Sequence, residues 1–110
     1  MIKMSARVIE ARDGTETHVD YYVRAVCAGR RLGSAPSDGH DEWAAYREEP
    51  VFVVLPGAPE RIALLRVERV SDTPRSTPEE AADDMQRAVR QHLDPDRLRN
   101  PARLVWGGEV

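Results

Sequence analysis

The residues whose types best suit chemistry stand close together in one polar segment, residues 37–42, which reads SDGHDE. Its two aspartates, histidine and glutamate carry oxygen and imidazole groups of the kind that bind hard or borderline cations. The spacing lacks the Asp-x-Asp-x-Asp-Gly order of a calcium loop. His40 could also act as a base for Ser34 or Ser37, but neither serine lies within a Gly-x-Ser-x-Gly turn. We therefore predict no metal site, no cofactor and no catalytic residue.

The other histidines and the single cysteine, Cys27, do not complete a site either. No two of His18, His40 and His92 share a metal-ligand spacing, and one cysteine allows no internal disulfide. His92 falls at the edge of the apolar stripe of a predicted helix, near the C-terminus, where a protonated imidazole is favoured. We expect His92 to be a partly buried structural histidine.

Composition narrows the class of protein. Charged residues make up 32% of the chain and the formal net charge is −3, which argues against a general binder of nucleic acid or membrane surfaces. The longest uninterrupted apolar run, residues 51–55, is far too short to span a bilayer. The N-terminal residues lack the pattern of a signal peptide, and a single cysteine is typical of a reducing compartment. We expect one cytoplasmic domain over residues 1–110.

Residues 29–41, GRRLGSAPSDGHD, are predicted to form a loop, because they hold three glycines, a proline and two serines. A connection of this length exceeds the usual range and is typical of functional or mobile loops. Aromatic residues and arginines are the usual anchors of protein interfaces, and acids can steer a basic partner. Both kinds occur in this loop and just after it. The predicted partner-binding residues are Arg30, Arg31, Asp38, His40, Asp41, Glu42, Trp43 and Tyr46.

These features favour a non-enzymatic protein-binding module that acts through the loop, such as a cytoplasmic inhibitor or an immunity-type or phage-type accessory factor. The partner would be another protein, and an edge strand could also pair with a second copy of the chain. The alternative is a nucleic-acid-associated factor that uses an arginine-rich C-terminal region. Its arginines are Arg87, Arg90, Arg97, Arg99 and Arg103. A small enzyme subunit built on His40 is the third class.

The element that must organise the fold is a helix predicted over residues 77–93. Thr77 suits the N-cap, Pro78 suits the first helical position, and Glu80 completes a capping box with Thr77. Apolar residues recur at three- and four-residue steps and form one stripe, while polar side chains fill the opposite face. The stripe contains Ala81, Ala82, Met85, Ala88, Val89, His92 and Leu93, and the polar face contains Asp83, Asp84, Gln86, Arg87, Arg90 and Gln91.

Residues 2–28 are predicted to form a β-hairpin about Asp13-Gly14, because glycine tolerates the positive φ of a type I′ turn. A two-residue loop fixes the register, which gathers an apolar row on one face and places Arg7 opposite Asp20 on the other. We expect the apolar face to be buried in the core, with the helix lying across it, and the other face to be exposed to solvent. The apolar row includes Val8, Val19, Tyr21 and Val23.

The next residues are harder to assign from their pattern. Trp43 and Tyr46, three positions apart, suggest that residues 42–49 form one or two helical turns, and an edge strand is the alternative. Residues 51–55 are apolar at every position, so we predict a central strand that is buried on both faces.

The rest of the chain completes a predicted α+β fold. A Pro56-Gly57 turn leads into a return strand over residues 61–70, whose second half is expected to leave the covered region. After the helix come a helical turn over residues 94–98 and a short strand over residues 102–106. The predicted order is ββ-loop-ββ-α-β, a mainly antiparallel sheet with one long amphipathic helix packed on one face.

Overall fold

The computed structural model describes residues 2–26 and 42–109, which form one sheet and one helix. The elements are β1 Lys3–Arg12, β2 Thr15–Val26, β3 Glu42–Val54, β4 Arg61–Arg69, α1 Pro78–His92 and β5 Ala102–Glu109. The strand pairs are antiparallel, in the order β4-β3-β2-β1-β5. The helix contacts β1, β2 and β3. The predicted α+β class with a mainly antiparallel sheet is therefore confirmed.

The hairpin of β1 and β2 has the predicted register. Val8 pairs with Val19 and Arg7 pairs with Asp20, and Arg7 Nε donates to Asp20 Oδ1 at 2.7 Å. Asp13 and Gly14 both have positive φ, 50° and 77°, as a type I′ turn requires. Because side chains alternate along a strand, this register decides which residues face α1.

Replacing Gly14 with alanine is expected to lower the free energy of unfolding by about 1–2 kcal/mol, because L-residues are strained in the left-handed region. A Cβ at this position would meet no atom within 4 Å, so backbone strain is the only cost. Urea unfolding measures the loss, with Thr17→Ala on β2 as a control outside the turn. Equal midpoints for wild type and the Gly14 variant would argue against the turn type.

The helix begins and ends as its sequence predicts. Thr77 is the N-cap and its Oγ1 accepts from the backbone N–H of Glu80 at 3.2 Å, while Leu93 is the C-cap. Beyond it, Arg97 and Leu98 donate backbone N–H groups to the Asp94 carbonyl, which forms the predicted helical turn. One residue on the helix departs from the prediction: Asp84, assigned to the polar face, is buried.

A thin core joins the helix to the sheet. It contains Ala6, Val8, Val19, Tyr21, Ala45, Met85 and Val89. Five of the ten buried apolar residues in the described part of the chain are alanines, so the helix lies close to the strands and few large side chains fill the space between. The predicted hairpin row is therefore the core face, with Val23 partly buried at its edge.

Residues 42–49, which the sequence left open between helix and edge strand, belong to β3, an interior strand between β2 and β4. Their backbone forms ladder pairs with β2 from Glu42 to Glu48. The strand continues to Val54, so the predicted strand over residues 51–55 is its second half. That half is not buried on both faces as predicted, because Phe52 is 59% exposed and Val54 is 67% exposed.

The two edge strands also differ from expectation. The second half of β4 leaves the covered region as predicted, with Val67 48% exposed. The first half, expected to be covered, is exposed as well, with Leu64 53% exposed and Leu65 68% exposed, and the chain reaches the core only at Val70. At the other edge, β5 runs to Glu109 rather than to residue 106, and Gly107 pairs with Ser5 within the strand.

Candidate functional site

Most of the predicted partner-binding residues lie outside the described ranges: Arg30, Arg31, Asp38, His40 and Asp41. Cys27 also lies outside them. The remaining three, Glu42, Trp43 and Tyr46, stand at the start of β3. Within residues 2–26 and 42–109, no three His, Cys, Asp or Glu side chains come together as a metal site.

Trp43 and Tyr46 do not form one contact surface, because three positions along a strand place side chains on opposite faces. The backbone of Trp43 bridges to Arg75, with N–H···O distances of 2.7 and 2.6 Å, which ties β3 to the segment before α1. Tyr46 lies on the sheet face opposite the helix, here called the open face. There its ring stacks on Tyr22 at 5.8 Å, and the Arg24 guanidinium lies 5.3 Å from its centroid.

The open face leads from these tyrosines to a projecting two-stranded arm, defined as residues 49–66. Pairing of β2 with β3 ends at Asp20↔Glu48, whereas β3 and β4 stay paired as far as Val54↔Arg61. Pro50 lies two residues beyond the last β2 pair and has no N–H to donate. A turn closes the arm, with Ala58 N–H bonded to the Leu55 carbonyl at 3.1 Å and Gly57 at φ 79°.

The arm carries most of the exposed apolar surface. Six of the nine large exposed apolar side chains found in the described residues belong to it, at 40–68% exposure. They are Phe52, Val54, Leu55, Ile62, Leu64 and Leu65. Register places Phe52 and Leu65 on the open face, and Ile62 and Leu64 on the helix side. A two-stranded ribbon is only marginally stable in water by itself, and this one is apolar on both faces. The arm is therefore suited to burial against another molecule.

On the helix side, a cleft of about 710 Å³ lies between the C-terminal half of α1, the end of β1 and residues 97–100. Its floor is a continuous hydrogen-bonded chain. Arg47 Nε donates to Tyr21 Oη at 3.3 Å, Tyr21 Oη lies 2.7 Å from His92 Nδ1, and His92 Nε2 lies 2.5 Å from Glu10 Oε1. On the other side, Arg47 pairs with Glu49 at 2.9 Å.

The chemistry of each side chain limits which groups donate and which accept in these hydrogen bonds. Arginine can only donate, so Tyr21 Oη accepts from Arg47. A carboxylate accepts, so His92 donates to Glu10 from Nε2. The direction of the hydrogen bond between Tyr21 Oη and His92 Nδ1 is set by the His92 tautomer. Burial raises the pKa of Tyr21, against the opposing hydrogen bond from Arg47, so its hydroxyl keeps the proton. Both ring nitrogens of His92 are thus occupied, and its side chain is only 13% exposed, as expected of a structural histidine.

Arginines predominate around the cleft, with five against three carboxylates in its lining. Three of the five arginines assigned to the nucleic-acid alternative meet here: Arg87, Arg97 and Arg99. The other two lie elsewhere. Arg90 lines a shallow groove with Trp106, and Arg103 is 3.7 Å from Glu16.

Asp84 forms a second buried polar cluster that the sequence did not reveal. It is 6% exposed and accepts two hydrogen bonds from Arg75, at 2.8 and 3.0 Å. Ser71, also buried, accepts from the backbone N–H of Ala45 at 3.0 Å. Burial alone would raise the pKa of Asp84, but hydrogen bonds from Arg75 and Ser71 outweigh it and hold the pKa below the ordinary 3.8. This cluster fixes the segment before α1 against β3.

Comparison with protein-family models, with curated proteins and with solved structures finds no match to this chain. Among the described residues, no helix has both the length and the apolar character that crossing a bilayer would need.

Proposed function

We propose that the chain is a non-enzymatic protein-binding module, of the kind that serves as an inhibitor or as an immunity-type or phage-type accessory factor. The observation that carries this proposal is the exposed apolar arm. Soluble monomers rarely leave large contiguous apolar patches in water, and contacts with another protein are among the sites that such patches mark.

The main chain of the arm supports the same function. β4 is an edge strand, so one side of it offers N–H and C=O groups that a partner strand can pair with. β4 has no proline, and from Ile62 to Leu65 it has no charge that would discourage such pairing. A partner would therefore gain both backbone hydrogen bonds and apolar burial from one element.

At the other end of β3, Glu42 pairs with Val26. Residues 29–41, predicted to bind a partner, come between these two residues in the sequence. Tyr22, Arg24 and Tyr46 lie between that end and the arm on the open face. Tyrosine and arginine are frequent anchors of interfaces, so this cluster can extend the contact surface of the arm. The loop residues remain predicted contacts of the same partner.

Replacing Phe52 and Leu65 together with aspartate is expected to weaken partner binding by about a hundredfold or more, because truncating a central anchor commonly costs ≥ ~2 kcal/mol. Both side chains are already exposed, so the domain should stay folded. Quantitative capture of partner protein from the native host, followed by titration of the purified pair, measures the effect. The matched control is Val105→Asp, another exposed apolar position, on β5 at the opposite edge of the sheet from β4.

Retention of the complex by the Phe52/Leu65 variant, or equal loss in the Val105 control, would remove the arm as the contact element. Sedimentation of the purified chain shows whether the partner is a second copy. In that case the wild type is a dimer and the arm variant is a monomer.

A further inference from the structure

The arginines of the cleft are more numerous than the acids that could neutralise them. Arg12, Arg97 and Arg99 line it, and in the described part of the chain none of the three forms an ion pair. Arg87 is 61% exposed, and its ion pair with Asp84 is long, at 3.5 Å. This concentration of positive charge occurs in a chain whose net charge is −3.

The carboxylates of the cleft are largely committed to other groups. Asp84 is nearly buried and is held by Arg75 from outside the cleft, at 2.8 and 3.0 Å. Glu10 accepts from His92. Only Asp72 lines the cleft without an ion pair among the described residues. The guanidinium groups of Arg12, Arg97 and Arg99 are therefore available to a ligand.

We propose that this cleft binds a small phosphorylated molecule of nucleotide size. Guanidinium groups donate in a planar fork that matches phosphate oxygens, which makes clustered arginines suited to phosphate esters. The volume of about 710 Å³ lies within the range of small-molecule sites. Val70, Ala88 and Leu98 supply an apolar wall for the rest of the ligand.

The floor of the cleft suits a binding site rather than a reacting one. Tyr21, His92 and Glu10 satisfy one another, so the floor keeps its shape and has no free base to offer. Phosphate groups would lie beside Arg97 and Arg99, which line the cleft together with Arg12. The site shares no residue with the arm, so it can be present whether or not the arm binds a protein.

Isothermal titration calorimetry of the full chain with ATP and with pyrophosphate, in phosphate-free buffer at 150 mM NaCl, tests the proposal. Both probes should bind the wild type. The double variant R97Q/R99Q is expected to bind each about tenfold more weakly or worse, because the loss of even one charge-assisted hydrogen bond costs ~1.5 kcal/mol or more. The matched control R90Q/R103Q removes two exposed arginines outside the cleft and should bind like the wild type.

Three results would overturn the proposal. One is the absence of ATP and pyrophosphate binding to the wild type. Another is an equal loss in both double variants, which would indicate general charge attraction. The third is binding of a single-stranded oligonucleotide without binding of ATP or pyrophosphate, which would favour a nucleic-acid-associated factor instead. Circular dichroism of each variant establishes that it is folded.

Discussion

Replacing Met85 with alanine is expected to lower the free energy of unfolding by about 2–5 kcal/mol, the range for truncating a buried methionine. Met85 is fully buried and is one of three large side chains with less than 2% exposure in residues 2–26 and 42–109, together with Val8 and Val89. Because alanines make up half of the buried apolar residues, little neighbouring side chain is free to collapse into the space. Domains of this size have stabilities of about 5–15 kcal/mol, so the loss is a large fraction of the total.

Denaturant unfolding at pH 7 measures this effect, with Arg90→Ala on the exposed side of the same helix as the control. The Arg90 variant should change stability by no more than about 0.5 kcal/mol. A Met85 variant as stable as the wild type would show that the helix does not pack on the sheet through this residue.

Replacing Arg75 with alanine is expected to lower the free energy of unfolding, because it leaves the Asp84 carboxylate buried without its main donor. The loss should be smaller than for a fully buried pair, since Arg75 is 35% exposed and Ser71 still donates to Asp84. Arg87→Ala is the matched control. It removes an exposed arginine 3.5 Å from the same carboxylate and should cost less than about 1 kcal/mol.

The same cluster predicts a pH dependence. The pKa of Asp84 is lower in the folded state than its ordinary 3.8, so the folded state favours the ionised carboxylate. This contribution is complete above the unfolded pKa, near pH 4, and is lost as the pH falls through the lower folded pKa. Stability of the wild type should therefore fall more steeply below pH 4 than that of Asp84→Asn. Asp83→Asn, next to it and exposed, should follow the wild type. Parallel profiles for all three proteins would contradict the assignment.

Local signals in the sequence were sufficient for the two best-defined elements. Asp13-Gly14 determines a two-residue turn, and from that turn follow the register, the Arg7–Asp20 pair and the choice of core face. Thr77 and Pro78 likewise determine where α1 begins. These inferences succeeded because each depends on residues close together in the chain, whose steric and hydrogen-bonding preferences do not require knowledge of the rest of the fold.

Inference from apolar character alone failed where neighbours were unknown. Residues 51–55 and the first half of β4 are apolar on both faces, which usually means burial between layers. Here the pairing of β2 with β3 ends at Asp20↔Glu48, and no described element covers the arm beyond it. An apolar strand that will be buried by a partner has the same sequence pattern as one buried by its own domain.

The candidate sites were the least predictable part, because they join residues far apart in the chain. His92 reaches Tyr21 and Glu10 across 71 and 82 positions. In the sequence, Asp84 has the pattern of a polar residue on an exposed helix face. In the structure, Arg75 and Ser71 lie beside it. Helical periodicity assigns a side chain to a face, but it does not show that a preceding segment folds back over that face.

The chain by itself determined its turns, the limits of its helix, the register of its first hairpin and the class of its fold, since these depend on short-range sterics and alternation. Tertiary structure alone decided that β3 is interior, that its second half projects with β4 as an apolar arm, and that dispersed arginines meet around one cleft. Strand order and the departure of β2 from β3 are long-range packing outcomes, and no local pattern carries them.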